Sequence, residues 1–354
     1  MPGSIGTTAL IGALSYAAFG RETVAGTYNT CTAGLDFLSF SFKTTKDAKI
    51  LEQVERSRTH SKQFQLGKVV EGEMEYYYDP MSDGCNFQLQ NAFGGTITSA
   101  TSTGETVGAG ANSGITHTFN VGSMDQSYPS MCINARYGPV TTGRIWQYSG
   151  TRIDEITFKA ELDEPLMTSV KAICFDSTLV TNDVESALTV TANQPLSFVD
   201  GRLSVEGTLA SLTTSSIWHI QSAELSMKNS LKGDKESRRI GSDTLVVLPP
   251  TILEITLKCT IRFDTTTAYS AMINGTEFAA ALQFQGSTFT SSAIRRGLLF
   301  NMPSVYIKNA TEPEISGPDE ILTSEVEFNV LRDDSSNTGY AIQALVTNQR
   351  ANYS

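Results

Sequence analysis

The sequence predicts a mostly β protein made of two tandem domains, each a β-sandwich or half-barrel with a short flanking α-helix and a long inter-strand loop. Thr, Ser, Val, Ile and aromatic residues crowd short segments that Gly and Asn/Asp clusters separate, as strands require. The 354 residues, 40% hydrophobic and 18% charged, suffice for two domains with their own cores. Two segments also recur at one offset along the chain, which indicates an internal duplication.

The duplication rests on two ungapped matches between the halves of the chain. Residues 40–43 (FSFK) match residues 225–228 (LSMK), and this match defines the offset between the two copies. At the same offset, the alternating apolar residues that begin at Met74 fall on those that begin at Cys259. In both segments every second side chain is apolar, so each predicts a strand with one packed and one solvated face.

A short helix is expected after each of these strands. Asp79 is the predicted N-cap in the first copy and Asp264 in the second, and the helices should end at Gly94 and Gly275. A later alternating strand around Phe158 is matched with the one at residues 326–330, at a shorter offset that implies different loop lengths in the two copies. The polar residues 181–183 set the boundary, which gives domains 1–184 and 185–354, with a strand beginning at about residue 187.

A long polar segment separates the paired strands of each copy, at residues 43–68 and at residues 228 to about 243. Loops of this length in compact domains are usually functional or disordered. Each segment is either an arm that contacts another molecule or a solvated loop without a function. Because such a segment occurs at the same place in both copies, we favour the contact arm. The basic candidates in the two arms are Lys46, Lys49, Arg56, Arg58 and Lys62, then Lys232, Lys235, Arg238 and Arg239.

Composition and motifs argue against catalysis and against a surface that grips nucleic acid. The formal net charge is −11, whereas phosphate binding needs clustered Lys and Arg. The chain has no HExxH, Walker A or GxSxG motif, and its three histidines, His60, His117 and His219, are expected to be structural or exposed. No enzyme activity, cofactor or metal is therefore expected.

The five cysteines are scattered and form no CxxC pair, so we expect all of them to be reduced and structural, as in a protein assembled in a cytosol. The apolar run at residues 9–19 is too short to span a bilayer and no Lys or Arg precedes it. A signal peptide is therefore not expected.

With these segments identified, the chain resembles the tail tube proteins of siphophages, the long-tailed bacteriophages. The resemblance covers nearly the whole chain and rests on the order and spacing of its patterns rather than on a rigid signature. Departures lie in the first helix, which contains Gly84, and in the Ser/Gly-rich residues 96–114. The matching segments are residues 12–18 followed by Glu22 and Gly26-Thr27, residues 148–153, residues 223–231, the strand that ends at Asp264, Asn274-Gly275-Thr276, residues 302–305 and residues 321–323.

The resemblance implies a structural virion protein that polymerises into stacked rings around a lumen. The lumen would hold viral DNA and the tape measure protein, and tail terminator and tail tip proteins would be further partners. Assembly is implied in the host bacterial cytoplasm, without a membrane. The polar faces of the paired strands are then the candidates for the lumen wall, and the basic arms are candidates for inter-ring contacts. The wall candidates are Glu73, Glu75, Thr256, Lys258, Thr260 and Arg262.

Two questions stay open at this level. A ring of three chains, with each domain standing where a separate subunit would stand, competes with a ring of six chains in which one domain decorates the outside. The second question concerns an alternative function, a β-sandwich adhesin or distal tail protein that binds host glycan. Trp146 and Trp218 could stack on sugars in such a protein, although a tryptophan among strands more often belongs to the core.

Overall fold

The computed structural model describes residues 14–50, 62–101, 114–122, 128–139, 143–188, 194–212, 216–263, 266–289, 294–313, 321–333 and 339–350. These residues form eighteen strands and two α-helices, which confirms the mostly β fold class. The first half contains β1 (Tyr16–Arg21), β2 (Ala33–Leu35), β3 (Ser39–Ile50), β4 (Gln63–Tyr77), α1 (Asp83–Phe93), β5 (Gly94–Thr101), β6 (Ile115–Val121), β7 (Met131–Tyr137), β8 (Arg144–Glu161), β9 (Met167–Cys174) and β10 (Asp176–Val180). The second half contains β11 (Gly201–Glu206), β12 (Ile217–Trp218), β13 (Ile220–Lys228), β14 (Glu254–Arg262), α2 (Thr267–Asn274), β15 (Glu277–Thr288), β16 (Arg295–Ala310), β17 (Thr323–Leu331) and β18 (Gln343–Asn348).

Eight strands from both halves join into one antiparallel sheet, which we call the long sheet. Its order is β3-β4-β9-β8-β13-β14-β17-β16. The halves meet at the pairing of β8 with β13, where Ile156 lies opposite Met227 and Phe158 lies opposite Leu225. Backbone hydrogen bonds therefore run without interruption from one half into the other.

Two short sheets pack against the apolar face of the long sheet. The first has the order β2-β1-β7-β8-β10, and the second has the order β12-β11-β15-β16-β18 and continues through β6 to β5. The long strands β8 and β16 each pass from a short sheet into the long sheet. Each carries a register shift after the crossing, at Ile153/Glu155 in β8 and at Ile307/Asn309 in β16.

The core between the sheets is continuous across the two halves. The rings of Phe158 and Phe300, one from each half, lie 4.8 Å apart between centroids. Met74 and Tyr76 of β4 and Leu257 of β14 are fully buried. Burying a large apolar side chain stabilises the fold by roughly 1.5–3 kcal/mol, so the alternation that predicted these strands also accounts for their position.

The order of strands in the long sheet corrects one expected match between the two halves. The strand that lies beside β4 is β9, and the strand that lies beside β14 is β17. The residues around Phe158 belong to β8, which corresponds to β16 instead, so their match with residues 326–330 is wrong. Both β8 and β9 alternate, and a period of two identifies a strand's faces but not its neighbours.

The helices end where the sequence predicts and begin later. Gly94 and Gly275 are left-handed C-caps with φ of 68° and 61°. The N-cap of α1 is Ser82, whose hydroxyl accepts from the Cys85 N–H at 3.4 Å, so the prediction of Asp79 is wrong. The Asp79 carboxylate instead accepts from the Met81 N–H at 2.9 Å and forms the turn before the helix.

In the second half the N-cap of α2 is Thr266, and Asp264 lies outside the described residues. The strand expected at about residue 187 does not begin there, because residues Glu185–Ala187 form a 3-10 turn. Residues 189–193 lie outside the described residues, and among the described ones the next strand begins at Gly201. Ser/Thr/Asn/Asp-rich connections carry no apolar period, so the sequence does not fix where they end.

Candidate assembly surfaces

The solvent-facing side of the long sheet, which we call the polar face, carries two rows of alternating charge. Strand register places one row across five neighbouring strands in the order Glu73, Lys171, Glu155, Lys228, Glu254. The second row, displaced along the strands, runs Lys159, Glu224, Lys258, Glu327 and is extended by Lys308. Between them lies an uncharged row of Ser169, Thr157, Ser226, Thr256 and Asn329.

Neighbouring charges in these rows neutralise each other. The Lys171 ammonium lies 2.8 Å from a Glu155 carboxylate oxygen, which lowers the pKa of Glu155 and raises that of Lys171. Lys308 lies at the same distance from Glu327 and lowers its pKa. Exposed pairs of this kind contribute only about 0.2–1 kcal/mol each. Their main consequence is a face that is strongly hydrated and locally neutral.

The six predicted wall residues all lie on the polar face. Glu73 and Glu75 project from β4, and Thr256, Lys258, Thr260 and Arg262 project from β14. Sequence reasoning missed the contributions of β9 and β13, such as Lys171 and Glu224. Alternation marks these residues as solvent-facing, but only the strand register shows that they continue the same rows.

Where it is described, the first basic arm is a β-hairpin rather than a loop. Strand β3 continues to Ile50 and β4 begins at Gln63, so the described part of this segment is paired strand, and the expectation of a loop is wrong there. Backbone pairing holds the two strands together from Lys43 opposite Glu71 to Ile50 opposite Gln63. Lys49 and Lys62 are exposed on the hairpin, whereas Arg56 and Arg58 lie outside the described residues.

The second arm is a loop that rests on the base of this hairpin. The Lys46 ammonium lies 2.8 Å from a carboxylate oxygen of Asp243, and the Lys68 N–H donates to the Asp243 carbonyl at 2.7 Å. The Arg238 guanidinium donates to the Lys68 carbonyl at 3.0 Å. Lys46 and Arg238 therefore serve contacts inside the chain, while Lys232, Lys235 and Arg239 remain exposed.

The contact between the halves is polar as well as apolar. Asn229, only 4% exposed, follows β13 and reaches into the first half. Its amide donates to the carbonyls of Ala92 at 2.9 Å and of Ile153 at 3.0 Å, and its oxygen accepts from the Tyr128 hydroxyl at 3.0 Å. Each group is buried and partnered, which fixes the orientation of the two halves.

Both ends of the long sheet are open. Among the described residues, β3 pairs with β4 alone, and residues 307–310 of β16 pair with β17 alone. An open strand edge presents unpaired N–H and C=O groups to another chain. The polar face therefore ends on two edges that can accept further strands.

The residues considered for other functions are structural where they are described. Trp146 contacts Tyr137 with ring centroids 5.3 Å apart, and Trp218 contacts Phe328 at 5.8 Å, so both pack on the core. His117 is buried and hydrogen-bonds Ser99 and Asn348 at 2.8 and 3.0 Å, and burial lowers its pKa. His219 is exposed, whereas His60 lies outside the described residues.

All five cysteines are buried free thiols. The described parts of the chain hold no group of three or more His, Cys, Asp or Glu side chains that could bind a metal ion. In those same parts, neither α-helix has the length and apolar character that crossing a membrane requires.

Comparison with known proteins identifies the family of this chain. The family model described as phage tail tube protein matches residues 12–330, most of the chain. A search of the curated proteins finds no match. The chain therefore belongs to the phage tail tube protein family, as a structural component of the virion tail that assembles with copies of itself into tube rings.

Proposed function

We propose that three copies of this chain close into a ring with pseudo-six-fold symmetry, and that stacked rings form the hollow tube through which viral DNA is ejected. The observation that carries the proposal is the long sheet, in which strands of both halves already form one surface with open edges at β3 and β16. If the same contact joins each chain to the next, the chains close into a ring after a fixed number of copies.

The strand count gives a channel of useful width. Three chains of eight strands give twenty-four, and at about 4.8 Å per strand the barrel circumference is about 115 Å, or about 37 Å in diameter before strand tilt widens it. With the side chains of the polar face inside, such a barrel holds a DNA double helix and, before ejection, the tape measure protein. Tail terminator and tail tip proteins would bind the ends of the tube.

The polar face suits the wall of this channel. Its charges alternate across neighbouring strands, so a passing phosphate meets no cluster of Lys or Arg that could hold it. Glu73, Glu75, Thr256, Lys258, Thr260 and Arg262 belong to this wall in the proposal. In this proposal the polar face repels DNA or contacts it only weakly, so DNA does not stay bound to the channel wall.

The equivalence of the halves supports three chains over six. Strands β1 and β11 begin at Tyr16 and Gly201, which are separated by the same offset as the sequence repeat, and the crossing strands β8 and β16 carry their register shifts at corresponding places. The proposed domains, 1–184 and 185–354, then stand as equal units in the ring. In a six-chain ring only one of them would line the channel, although both contribute equally to the polar face.

The exposed basic residues of the arms are the proposed inter-ring contacts. Lys49 and Lys62 on the hairpin, and Lys232, Lys235 and Arg239 on the loop, would bind acidic groups of the next ring, together with Arg56 and Arg58. Lys46 and Arg238 instead hold the two arms together within one chain. Assembly takes place in the host bacterial cytoplasm in this proposal.

Electron microscopy and native mass spectrometry of the purified protein test the proposal. We expect stacked annuli in negative stain and a single-ring mass of three chains. A ring of six chains, or an unassembled monomer under conditions that preserve its fold, would overturn it. A charge-reversal variant of Lys232, Lys235 and Arg239 should give single rings that no longer stack. Lys46→Met is the control, because Lys46 is paired inside the chain, and its rings should still stack.

A further inference from the structure

Strands β8 and β13 pair inside the chain, and the strands that correspond to them, β16 and β3, lie at the two ends of the long sheet. Strand β13 corresponds to β3 through the offset of the sequence repeat, so Leu225 and Met227 correspond to Phe40 and Phe42. Strand β8 corresponds to β16 through their shared register shift, which places Asp154 in line with Lys308. The two strands that meet inside the chain therefore have counterparts that pair with no further strand among the described residues. In the single chain the Ala310 N–H at this edge of β16 donates to the Met272 sulfur at 3.2 Å, and a strand added there would replace that weak contact.

We infer that residues 309–311, at the end of β16, pair with β3 of a second copy of this chain in the register of the internal junction. Ile156 opposite Met227 becomes Ala310 opposite Phe42, and Thr157 opposite Ser226 becomes Thr311 opposite Ser41. This inference rests on the proposed ring and assigns the residues that close it.

The side chains of the free edges suit this register. On the apolar face a medium-sized pair, Ile156 and Met227, is replaced by a small and a large residue, Ala310 and Phe42, so the junction fills a comparable volume. On the polar face two hydroxyls meet in both cases, and the internal pair, Thr157 and Ser226, is hydrogen-bonded at 3.3 Å.

Apolar side chains that are partly exposed at the edge of β3 also support pairing with β16 of a second copy. Leu225 and Met227 are 1% and 3% exposed in the internal junction, whereas Phe40 and Phe42 are only half-buried. The two phenylalanine rings stack on each other with centroids 4.6 Å apart, and both remain partly exposed to solvent. A strand added to β3 would remove them from water as β8 does for their counterparts.

The helices show the same asymmetry. α1 lies at the internal junction, and Ala92, two residues before its C-cap, is fully buried. The corresponding residue of α2, two positions before Gly275, is Ile273, which is 66% exposed, and Tyr269 is 40% exposed. The junction with a second copy therefore includes the exposed side of α2.

Engineered disulfides test the register. In one chain Ser41 and Thr311 lie at opposite ends of eight strands, about 34 Å apart at about 4.8 Å per strand interval, so a Ser41→Cys, Thr311→Cys variant can cross-link only between chains. Mild oxidation of assembled rings should give covalent species that end at the trimer. The matched control, Ser39→Cys with Asn309→Cys, is displaced by four residues, or about 13 Å, and should cross-link at least tenfold less. Mixing the two single variants of the test pair should give dimers alone.

The outcomes separate the register from the ring. If rings form but the control pair cross-links as well as the test pair, the register is wrong while the proposed ring survives. If the unsubstituted protein forms no rings, the proposed function fails first. Ile273→Glu gives an independent reading: we expect a folded monomer that forms no rings, while Val199→Glu, at a side chain 75% exposed, assembles normally. Normal rings of Ile273→Glu would remove α2 from the junction.

Discussion

Replacing Asn229 by Ala should destabilise the chain more than any exposed asparagine replacement, because this side chain joins the halves. The substitution removes two amide hydrogen bonds of 2.9 and 3.0 Å in a buried site, and it removes the Asn229 oxygen that shares the single Tyr128 proton with the Ala92 carbonyl. Each contributes about 1 kcal/mol net, but the Tyr128 hydroxyl and the Ala92 carbonyl keep their mutual bond at 2.7 Å. We therefore expect a loss of about 2 kcal/mol, or roughly 30-fold in the unfolding equilibrium.

Urea unfolding of unassembled protein, followed by tryptophan fluorescence, measures this loss. Asn29→Ala is the control, since its amide also hydrogen-bonds backbone, to the Arg21 carbonyl at 3.1 Å, but in an exposed position. It should cost less than about 0.5 kcal/mol. If the two variants lose equal stability, buried hydrogen bonds at Asn229 do not hold the halves together, and apolar packing alone explains their orientation.

Three further outcomes follow from packing, charge and burial. A Cβ on Gly72 would lie 2.3 Å from the Phe42 ring, so Gly72→Ala should lower the unfolding free energy by about 1–3 kcal/mol, while Gly207→Ala, with open space around it, should not; thermal melts compare them. Lys171 lowers the folded-state pKa of Glu155, so the ion pair stabilises the fold above the unfolded-state pKa of 4.5 and this stabilisation is lost as the pH falls. Glu155→Gln should therefore flatten the pH dependence of urea unfolding below pH 5, and an unchanged profile would show that the ion pair does not contribute to stability. Burial raises the pKa of the Cys174 thiol to about 12, so iodoacetamide at pH 8 should leave it unmodified until urea is added, as mass spectrometry can show.

Much of the fold could be predicted from local pattern, and the surfaces only in part. The alternation around Met74 and Leu257 identifies strands and their buried faces, because a packed face repeats every second residue. Glycine is the residue that adopts the left-handed C-cap conformation at the lowest cost, which is why the helix ends at Gly94 and Gly275 were predictable. The N-caps were not, since several residues before each helix can accept the same hydrogen bond.

Pairings between distant strands could not be derived. The partner of β8 in the other half is β13, and nothing in either strand's own sequence selects that neighbour. The role of Asn229 was hidden for the same reason, since its three partners come from residues in the first half. The basic arms were recognised by composition, but composition did not show that Lys46 binds Asp243 inside the chain.

The pairing of β6 with β18 has a consequence for synthesis. Strand β6 ends at Val121 and pairs with residues 343–348, near the other end of the chain. A ribosome makes β6 long before β18, so this edge of β6 stays open until β18 has been synthesised. Contacts between such distant residues form slowly, and the waiting edge is exposed to other nascent chains. Strand β18 thus completes the second short sheet, and a nascent chain that lacks residues 343–348 cannot present that sheet to its neighbours.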